Sequence, residues 1–136
     1  MNKFFTPKIS QNIISFDFDG TLTDDYDGTP NPKKFEIQNI CKLLISQGKD
    51  VCIITKRYGP NSGMNEENIV YKLAHELGVE KVYFTDRVLK DKMIKKLGIQ
   101  LHFENSTDEA EIIKLMCPNT TVVNIEDSYW TDLVYY

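Results

Sequence analysis

Residues 13–21 constrain the fold more than any other stretch, because an apolar, β-prone run there ends in two carboxylates. The run Ile-Ile-Ser-Phe is followed by Asp17, Phe18, Asp19 and then Gly20. Such a run predicts a buried central strand, and the glycine predicts a turn directly after it. Two acids at that turn repel each other unless a cation or a shared proton compensates their charge. Since open α/β sheets carry their chemistry at the carboxyl ends of their strands, the pair predicts a functional site.

Strand and helix patterns alternate along the rest of the 136-residue chain. The predicted strands are short and rich in apolar residues, and they cover about 13–18, 51–55, 81–85, 99–103 and 121–125. Predicted helices, marked by capping and stop signals, cover about 33–47, 66–77, 88–97 and 106–116. The alternation predicts an α/β fold of the Rossmann-like type, a three-layer sandwich in which helices cover both faces of a five-stranded, mainly parallel sheet.

Length and composition limit the classes of function. A chain of 136 residues is enough for one domain, 1–136, with one hydrophobic core. The net charge of −4 argues against extensive nucleic-acid binding. No apolar run approaches the roughly 20 residues that span a bilayer, so we expect no association with membranes. Cys41, Cys52 and Cys117 have apolar neighbours and no metal-ligand spacing, which predicts buried free thiols and a cytoplasmic location.

The pattern Asp-x-Asp-Gly-Thr occurs twice, at residues 17–21 and again at 25–29. The first copy follows a predicted buried strand. The second follows Thr23 and Asp24, which cannot form one. The second copy therefore predicts a solvated turn, in which aspartate and glycine take their usual turn positions.

Residues 16–22, Phe-Asp-Phe-Asp-Gly-Thr-Leu, resemble the first motif of the haloacid dehalogenase (HAD) superfamily, most of whose members are phosphatases. That superfamily ends its second strand with a threonine or serine, and Thr55 stands at this position here. It also places a lysine ahead of its fourth strand, for which Lys90 and Lys92 are both candidates. We prefer Lys90, because similar sequences place the lysine about two helical turns before the glycine numbered Gly98 here.

An acidic cluster, most often two aspartates, ends the fourth strand in the same superfamily. This chain has Glu104 and Asn105 there, with Asp108 close by, and so departs from the pattern at both positions. Glu104 can still ligate a metal through its longer side chain, whereas Asn105 supplies no charge. Asp108 fits the role of a helix N-terminal acid better than that of a ligand.

The resemblance implies a Mg²⁺-dependent phosphomonoesterase. In that chemistry Asp17 is the nucleophile and forms an aspartyl-phosphate, and Asp19 is the general acid and base. Mg²⁺ is held by Asp17, the backbone carbonyl of Asp19 and Glu104. The hydroxyl of Thr55 and the ammonium of Lys90 hold the oxygens of the transferred phosphoryl group.

The expected substrate class follows from the absence of room for a cap domain. Relatives in the superfamily carry a cap domain after the first or the second motif, and the gaps 22–34 and 56–90 are too short for one. A capless HAD-like domain is therefore expected, alone or with its open site enclosed by a second subunit. The acidic loop that contains Asp24 and Asp25 opposes a polyanion, which favours a small phosphorylated metabolite such as a sugar phosphate or nucleotide. A nucleic-acid end and a phosphoprotein are the alternative substrates.

Other classes of protein fit less well. A receiver domain would place its phosphorylated aspartate at the end of the third strand, and a P-loop hydrolase would need a glycine-rich motif that is absent here. A catalytically weak or silent HAD-fold binding module remains the main alternative, because Glu104 and Asn105 depart from the superfamily's pattern.

Several further residues have open or structural interpretations. Lys56 and Arg57 follow Thr55 directly. Their position is equally compatible with contact to substrate and with a solvated loop. His75 and His102 lack metal-ligand spacing, so we expect both to have structural roles. Four aromatic residues near the C-terminus are expected to pack on the core or on another subunit, and these are Tyr129, Trp130, Tyr135 and Tyr136.

Overall fold

The computed structural model describes residues 6–136, and a five-stranded sheet forms its centre. The strands are β1 (Ile13–Phe16), β2 (Asp50–Thr55), β3 (Lys81–Phe84), β4 (Leu101–Glu104) and β5 (Thr121–Asn124). Their order across the sheet is β3-β2-β1-β4-β5, and every neighbouring pair is parallel. The predicted α/β class and five-stranded sheet are thus confirmed, with the sheet entirely parallel. Residues 1–5 of the predicted domain lie outside the described residues.

Among residues 6–136, five α-helices connect or follow the strands. They are α1 (Lys34–Ser46), α2 (Asn68–Leu77), α3 (Asp91–Leu97), α4 (Thr107–Met116) and α5 (Trp130–Tyr135). Because successive side chains of a strand point to opposite faces, β2 separates two cores. Val51 and Ile53 pack with α1, α2 and α5, whereas Cys52 and Ile54 pack with α3 and α4. The helices therefore cover both faces, as the sequence predicts.

The turn after β1 brings the first motif to the carboxyl edge of the sheet. The strand ends at Phe16, two residues before its predicted end, and the backbone N–H of Asp17 still donates to the carbonyl of Phe103 on β4 at 2.9 Å. Gly20 has φ +78°, and a Cβ atom there would collide with the side-chain amide of Asn105. A glycine is thus required both by the left-handed backbone and by the close approach of the loop after β4.

The C-terminal helix α5 packs against the first core. Trp130, Val134 and Tyr135 are buried there, and the Tyr135 hydroxyl donates to Glu36 Oε2 at 3.0 Å. Packing on the core is thus confirmed for Trp130 and Tyr135, whereas Tyr129 is 72 % exposed.

The three cysteines are buried free thiols, as predicted. Burial raises the pKa of Cys41 and of Cys52 to about 12, so both thiols are protonated at neutral pH. No helix within residues 6–136 is long and apolar enough to cross a membrane.

Candidate active site

A cavity of about 420 Å³ opens at the carboxyl edge of β1, β2 and β4. Its lining includes all five predicted site residues, which are Asp17, Asp19, Thr55, Lys90 and Glu104. Lys92 and Asp108, the alternatives weighed for two of these positions, are exposed and do not line it. His75 is likewise exposed, on α2. The topology thus gathers residues from four separate parts of the chain at the strand ends.

Lys90 connects the acids that end β1 and β4. It immediately precedes α3, and its Nζ lies 2.6 Å from Asp17 Oδ1 and 2.8 Å from Glu104 Oε1. The Lys90 and Glu104 side chains are both only 2 % exposed, and the Asp17 side chain is 8 % exposed. Asp17 Oδ2 also accepts a hydrogen bond from the Thr21 hydroxyl at 3.0 Å. The buried group therefore contains two carboxylates and one ammonium.

The ionisation of this group is uneven. Burial, together with the nearby charge of Glu104, raises the pKa of Asp17 to about 8, although Lys90 and Thr21 oppose the shift. Burial also works against ionised Glu104, but the Lys90 ammonium and a hydrogen bond from His102 outweigh it and lower the pKa of Glu104 to about 2. One ammonium thus keeps Glu104 ionised and leaves the charge of Asp17 incompletely compensated.

His102 holds Glu104 from the middle of the sheet. The imidazole is fully buried, with Nε2 2.9 Å from Glu104 Oε1 and Nδ1 2.6 Å from Ser15 Oγ. Burial lowers the pKa of His102, so the ring is neutral at neutral pH. Because a carboxylate only accepts, Nε2 carries the proton and Nδ1 accepts from the hydroxyl of Ser15. The structural role predicted for His102 is consistent with these contacts.

Asp19 is paired with Arg57, a contact that the sequence did not predict. Arg57 Nε and Nη2 donate to the two carboxylate oxygens of Asp19 at 2.9 and 2.8 Å. The guanidinium carbon also lies 5.4 Å from the ring centroid of Phe18 and 4.9 Å from that of Tyr26. The sequence left open whether Arg57 contacts substrate or lies in a solvated loop. In the structure Arg57 lines the cavity.

Thr55 ends β2 with its side chain in the same cavity. The residue is 1 % exposed, and its Oγ1 accepts from the backbone N–H of Arg57 at 3.2 Å. Since that oxygen is used as an acceptor, the hydroxyl proton of Thr55 remains for donation to an oxygen in the cavity.

The second Asp-x-Asp-Gly-Thr copy forms an exposed turn, as predicted. The N–H of Gly28 donates to the carbonyl of Asp25 at 2.9 Å, and Gly28 has φ +91°. The turn also carries Tyr26 to the mouth of the cavity, where its hydroxyl donates to Glu66 Oε2 at 2.6 Å. The ring centroid of Tyr26 lies 4.8 Å from the guanidinium carbon of Arg87. This loop therefore borders the site, which its turn sequence alone did not indicate.

Glu109 is a further cavity residue that sequence reasoning missed. Its N–H donates to Ser106 Oγ at 3.2 Å, which confirms the predicted helix start at α4. Its carboxylate does not complete the capping box, since the N–H of Ser106 donates to Glu104 Oε2. Glu109 is 4 % exposed, and neither of its carboxylate oxygens has a hydrogen-bond partner among the described residues. A buried carboxylate without a partner is costly, so this side chain fits a site that receives a cation or ordered water.

The oxygen donors of the cavity fit a hard divalent cation. Within residues 6–136 no three His, Cys, Asp or Glu side chains converge as a metal-ligand group, but Mg²⁺ commonly uses only one or two carboxylates with waters and substrate phosphate. Asp17 Oδ2 and Asn105 Oδ1 lie 3.0 and 3.4 Å from the same Thr21 hydroxyl. Because this hydroxyl has a single proton, it can donate fully to only one of the two oxygens. The undercompensated Asp17 and the unpartnered Glu109 also favour an added positive charge.

No protein-family model and no curated protein matches this chain. The HAD resemblance consequently stays an expectation from the motifs.

Proposed function

We propose that this protein is a Mg²⁺-dependent phosphomonoesterase of the HAD type that works through an aspartyl-phosphate on Asp17. The observation that carries the proposal is the position of Asp17, buried at the end of the central strand and 2.6 Å from Lys90, with Thr55 and Asp19 in the same cavity. These residues occur in the chain order that the resemblance implies. Two phosphoryl-binding donors beside a carboxylate nucleophile are what phosphate transfer to a protein side chain requires.

The proposed metal ligands are all oxygens. Asp17, the backbone carbonyl of Asp19 and Glu104 would hold the ion, with the amide oxygen of Asn105 as a further donor and Glu109 within the same cavity. When bound, Mg²⁺ would neutralise the charge of the phosphate beside Asp17 and the charge that develops on its oxygens.

Each side chain has a defined role in the two chemical steps. An oxygen of Asp17 attacks phosphorus while the bond from phosphorus to the ester oxygen breaks, and Asp19 gives its proton to that oxygen. In the second step Asp19 takes a proton from water, which attacks the phosphoryl group and releases inorganic phosphate and free Asp17. The hydroxyl of Thr55 and the ammonium of Lys90 hold the phosphoryl oxygens in both steps. Glu104 and His102 keep Lys90 in place through the contacts described above.

A small phosphorylated metabolite is the proposed substrate class. The cavity volume of about 420 Å³ lies within the range of small-molecule sites. Five acidic side chains, Asp17, Asp19, Asp25, Glu104 and Glu109, line it beside the four basic ones, Lys56, Arg57, Arg87 and Lys90. This balance disfavours a long polyanion and suits a compact ester.

Turnover of a generic phosphomonoester, measured with Mg²⁺ and with excess chelator, tests the proposal. We expect activity that disappears with chelator and returns when Mg²⁺ is restored. Full activity in chelator would contradict the metal-dependent mechanism. Absence of turnover over a broad panel of phosphate esters would contradict the proposed enzymatic activity.

A binding module is the second candidate, and the Asp19–Arg57 pair is the observation that favours it. Both carboxylate oxygens of Asp19 accept from the guanidinium, so the acid is engaged by a partner in the described geometry. A silent module would bind phosphate esters, measured by calorimetry, without hydrolysing them.

A further inference from the structure

The contact between Asp19 and Arg57 is incompatible with proton donation by Asp19 as it stands. An acid that protonates a leaving oxygen must carry a proton and direct it at that oxygen. Here Arg57, which has only donors, points two of them at the two oxygens of Asp19 at 2.9 and 2.8 Å. The proposed reaction therefore requires Arg57 to release Asp19 once substrate is in place.

Arg57 is held in the cavity by more than Asp19. Its side chain is only 13 % exposed. The guanidinium lies against the rings of Phe18 and Tyr26, and Nη1 donates to the carbonyl of Glu66 at 3.0 Å. These contacts do not involve Asp19. The guanidinium would consequently stay at this side of the cavity after Asp19 turns away from it.

Two further cations line the cavity, and one of them, Arg87, lies beside Arg57, since both guanidinium groups contact the ring of Tyr26. Lys56 and Arg87 both line the cavity, and the N–H of Arg87 donates to the carbonyl of Lys56 at 2.7 Å. Arg87 is paired with Glu66 at 2.7 Å. Lys56 forms no ion pair with any residue in the range 6–136. Lys56 thus gives the cavity a cation without an ion-pair partner among the described residues.

The position of Arg57 relates it to the leaving group. Asp19 acts on the ester oxygen, and Arg57 lies within 2.9 Å of the oxygens of Asp19. The transferred phosphoryl group is assigned to the hydroxyl of Thr55, at the end of β2, and to the ammonium of Lys90, directly before α3. An anion that reaches Arg57 therefore belongs to the part of the substrate beyond the ester oxygen.

We propose that the substrates are phosphate monoesters whose leaving group itself carries an anionic group, and that this group displaces Asp19 from Arg57. The inference rests on the proposed phosphatase function and names its substrate class. A carboxylate or second phosphate within a few atoms of the ester oxygen takes the guanidinium, and Asp19 turns to the ester oxygen. Arg57 keeps an anionic partner throughout, and Asp19 takes up a proton from solvent as it leaves the guanidinium, so the exchange leaves no buried charge unpaired. A neutral leaving group offers Arg57 no anion in exchange, so Asp19 is released less readily.

Two esters that differ in one group test the proposal, namely 3-phosphooxypropanoate and propyl phosphate, in which a carboxylate is replaced by a methyl group. Wild-type protein should prefer the carboxylate ester in kcat/KM by roughly 10- to 100-fold, the scale of one hydrogen bond to a charged group. Arg57→Met should lose this preference, because its kcat/KM should fall by roughly 10- to 100-fold more for the carboxylate ester than for propyl phosphate. Lys81→Met is the matched control, because Lys81 is an exposed lysine paired with Asp50 at the opposite edge of the sheet and should keep the preference.

A binding measurement separates this inference from the proposed function. In the Asp17→Asn background, calorimetry should show tighter binding of 3-phosphooxypropanoate than of propyl phosphate, and Arg57→Met added to it should remove the difference. If Arg57→Met does not fold, Arg57→Lys keeps the charge without the two-pronged contact and should reduce the preference. Equal affinity and equal turnover for the two esters, or a preference that survives loss of Arg57, overturns the inference. Absence of turnover for both esters counts against the proposed function alone, and calorimetry then decides the inference.

Discussion

Lys90 Nζ lies 2.6 Å from Asp17 Oδ1, although the two residues are 73 positions apart in the chain. The contact joins the end of the central strand to the start of α3 and is almost completely screened from water. The same ammonium also contacts Glu104 and is shared by the two buried acids. Removal of such a cation leaves buried negative charge without a partner, which is among the most destabilising changes in a protein interior.

Lys90→Met should therefore lower the free energy of unfolding by about 3–5 kcal/mol. Lys92, two residues later and exposed, is the matched control, and Lys92→Met should change stability by no more than about 0.5 kcal/mol. Urea denaturation of both variants measures the difference. Equal stability of the two variants would mean that the buried pair contributes little in solution.

Asp17→Asn should abolish turnover and keep the fold, because Asp17 directly follows β1 and is the proposed nucleophile. Asp25→Asn, the equivalent change in the second Asp-x-Asp-Gly-Thr copy, should leave activity within a few-fold of wild type. Steady-state kinetics with a phosphomonoester, alongside circular dichroism for the fold, gives the comparison. A dead Asp25→Asn variant with an active Asp17→Asn variant would mean that the nucleophile is assigned to the wrong copy.

The sequence predicted the strands within about two residues, because apolar runs and glycine stops act locally. The errors lie at the ends of elements, where local turn and helix-end hydrogen bonds replace the regular pattern. The fourth strand was expected from Ile99 but begins at Leu101, since the N–H of Ile99 donates to the carbonyl of Ile94 and completes the end of α3. The third helix was expected from Val88 but begins at Asp91, because residues 85–88 form a turn in which Thr85 Oγ1 donates to the carbonyl of Val88.

From strand patterns alone, the candidate site was predictable only where the residues follow strand ends, and Lys90, directly before α3, came from the resemblance. The position of Asp17 and Thr55 follows from the register of parallel strands. The direction of the Arg57 side chain, by contrast, depends on the rings of Phe18 and Tyr26, which come from another loop. Glu109 was hidden for a different reason, since capping-box spacing with Ser106 accounts for a glutamate there without any cavity.

Metal dependence should distinguish the two acids near the end of β4. Glu104→Gln should raise the Mg²⁺ concentration needed for half-maximal activity more than Asp108→Asn does, because Glu104 lines the cavity and Asp108 is exposed at the start of α4. Activity measured over a Mg²⁺ titration gives both values. The opposite ranking would move the ligand to Asp108.

Asp17 should make the metal-free protein less stable as the pH rises. Its pKa is raised by burial from 3.8 to about 8, so between these values the folded protein retains a proton that the unfolded chain has lost. The contribution of the protonated Asp17 to the free energy of unfolding is present at low pH. It is lost as the pH rises through the pKa that Asp17 has in the folded protein. The neutral amide introduced by Asp17→Asn mimics the protonated acid, so the advantage of this variant over wild type in free energy of unfolding should grow from pH 4 to pH 8. Urea denaturation in chelator measures it, and a pH-independent difference would contradict the raised pKa.

Asp19→Asn removes the proton donor but keeps the backbone carbonyl assigned to the metal, so Mg²⁺ binding should survive while turnover falls by roughly 10²–10⁴. The loss should be smaller for an aryl phosphate than for an alkyl phosphate, because a good leaving oxygen departs without a proton. Some loss should persist with the aryl ester, since the second step still needs a base to activate water. Calorimetric Mg²⁺ titration and kinetics with the two esters provide the readouts. Equal losses for aryl and alkyl esters would mean that Asp19 does not protonate the leaving group, and that its contribution is confined to hydrolysis of the phosphorylated Asp17 or to its pair with Arg57.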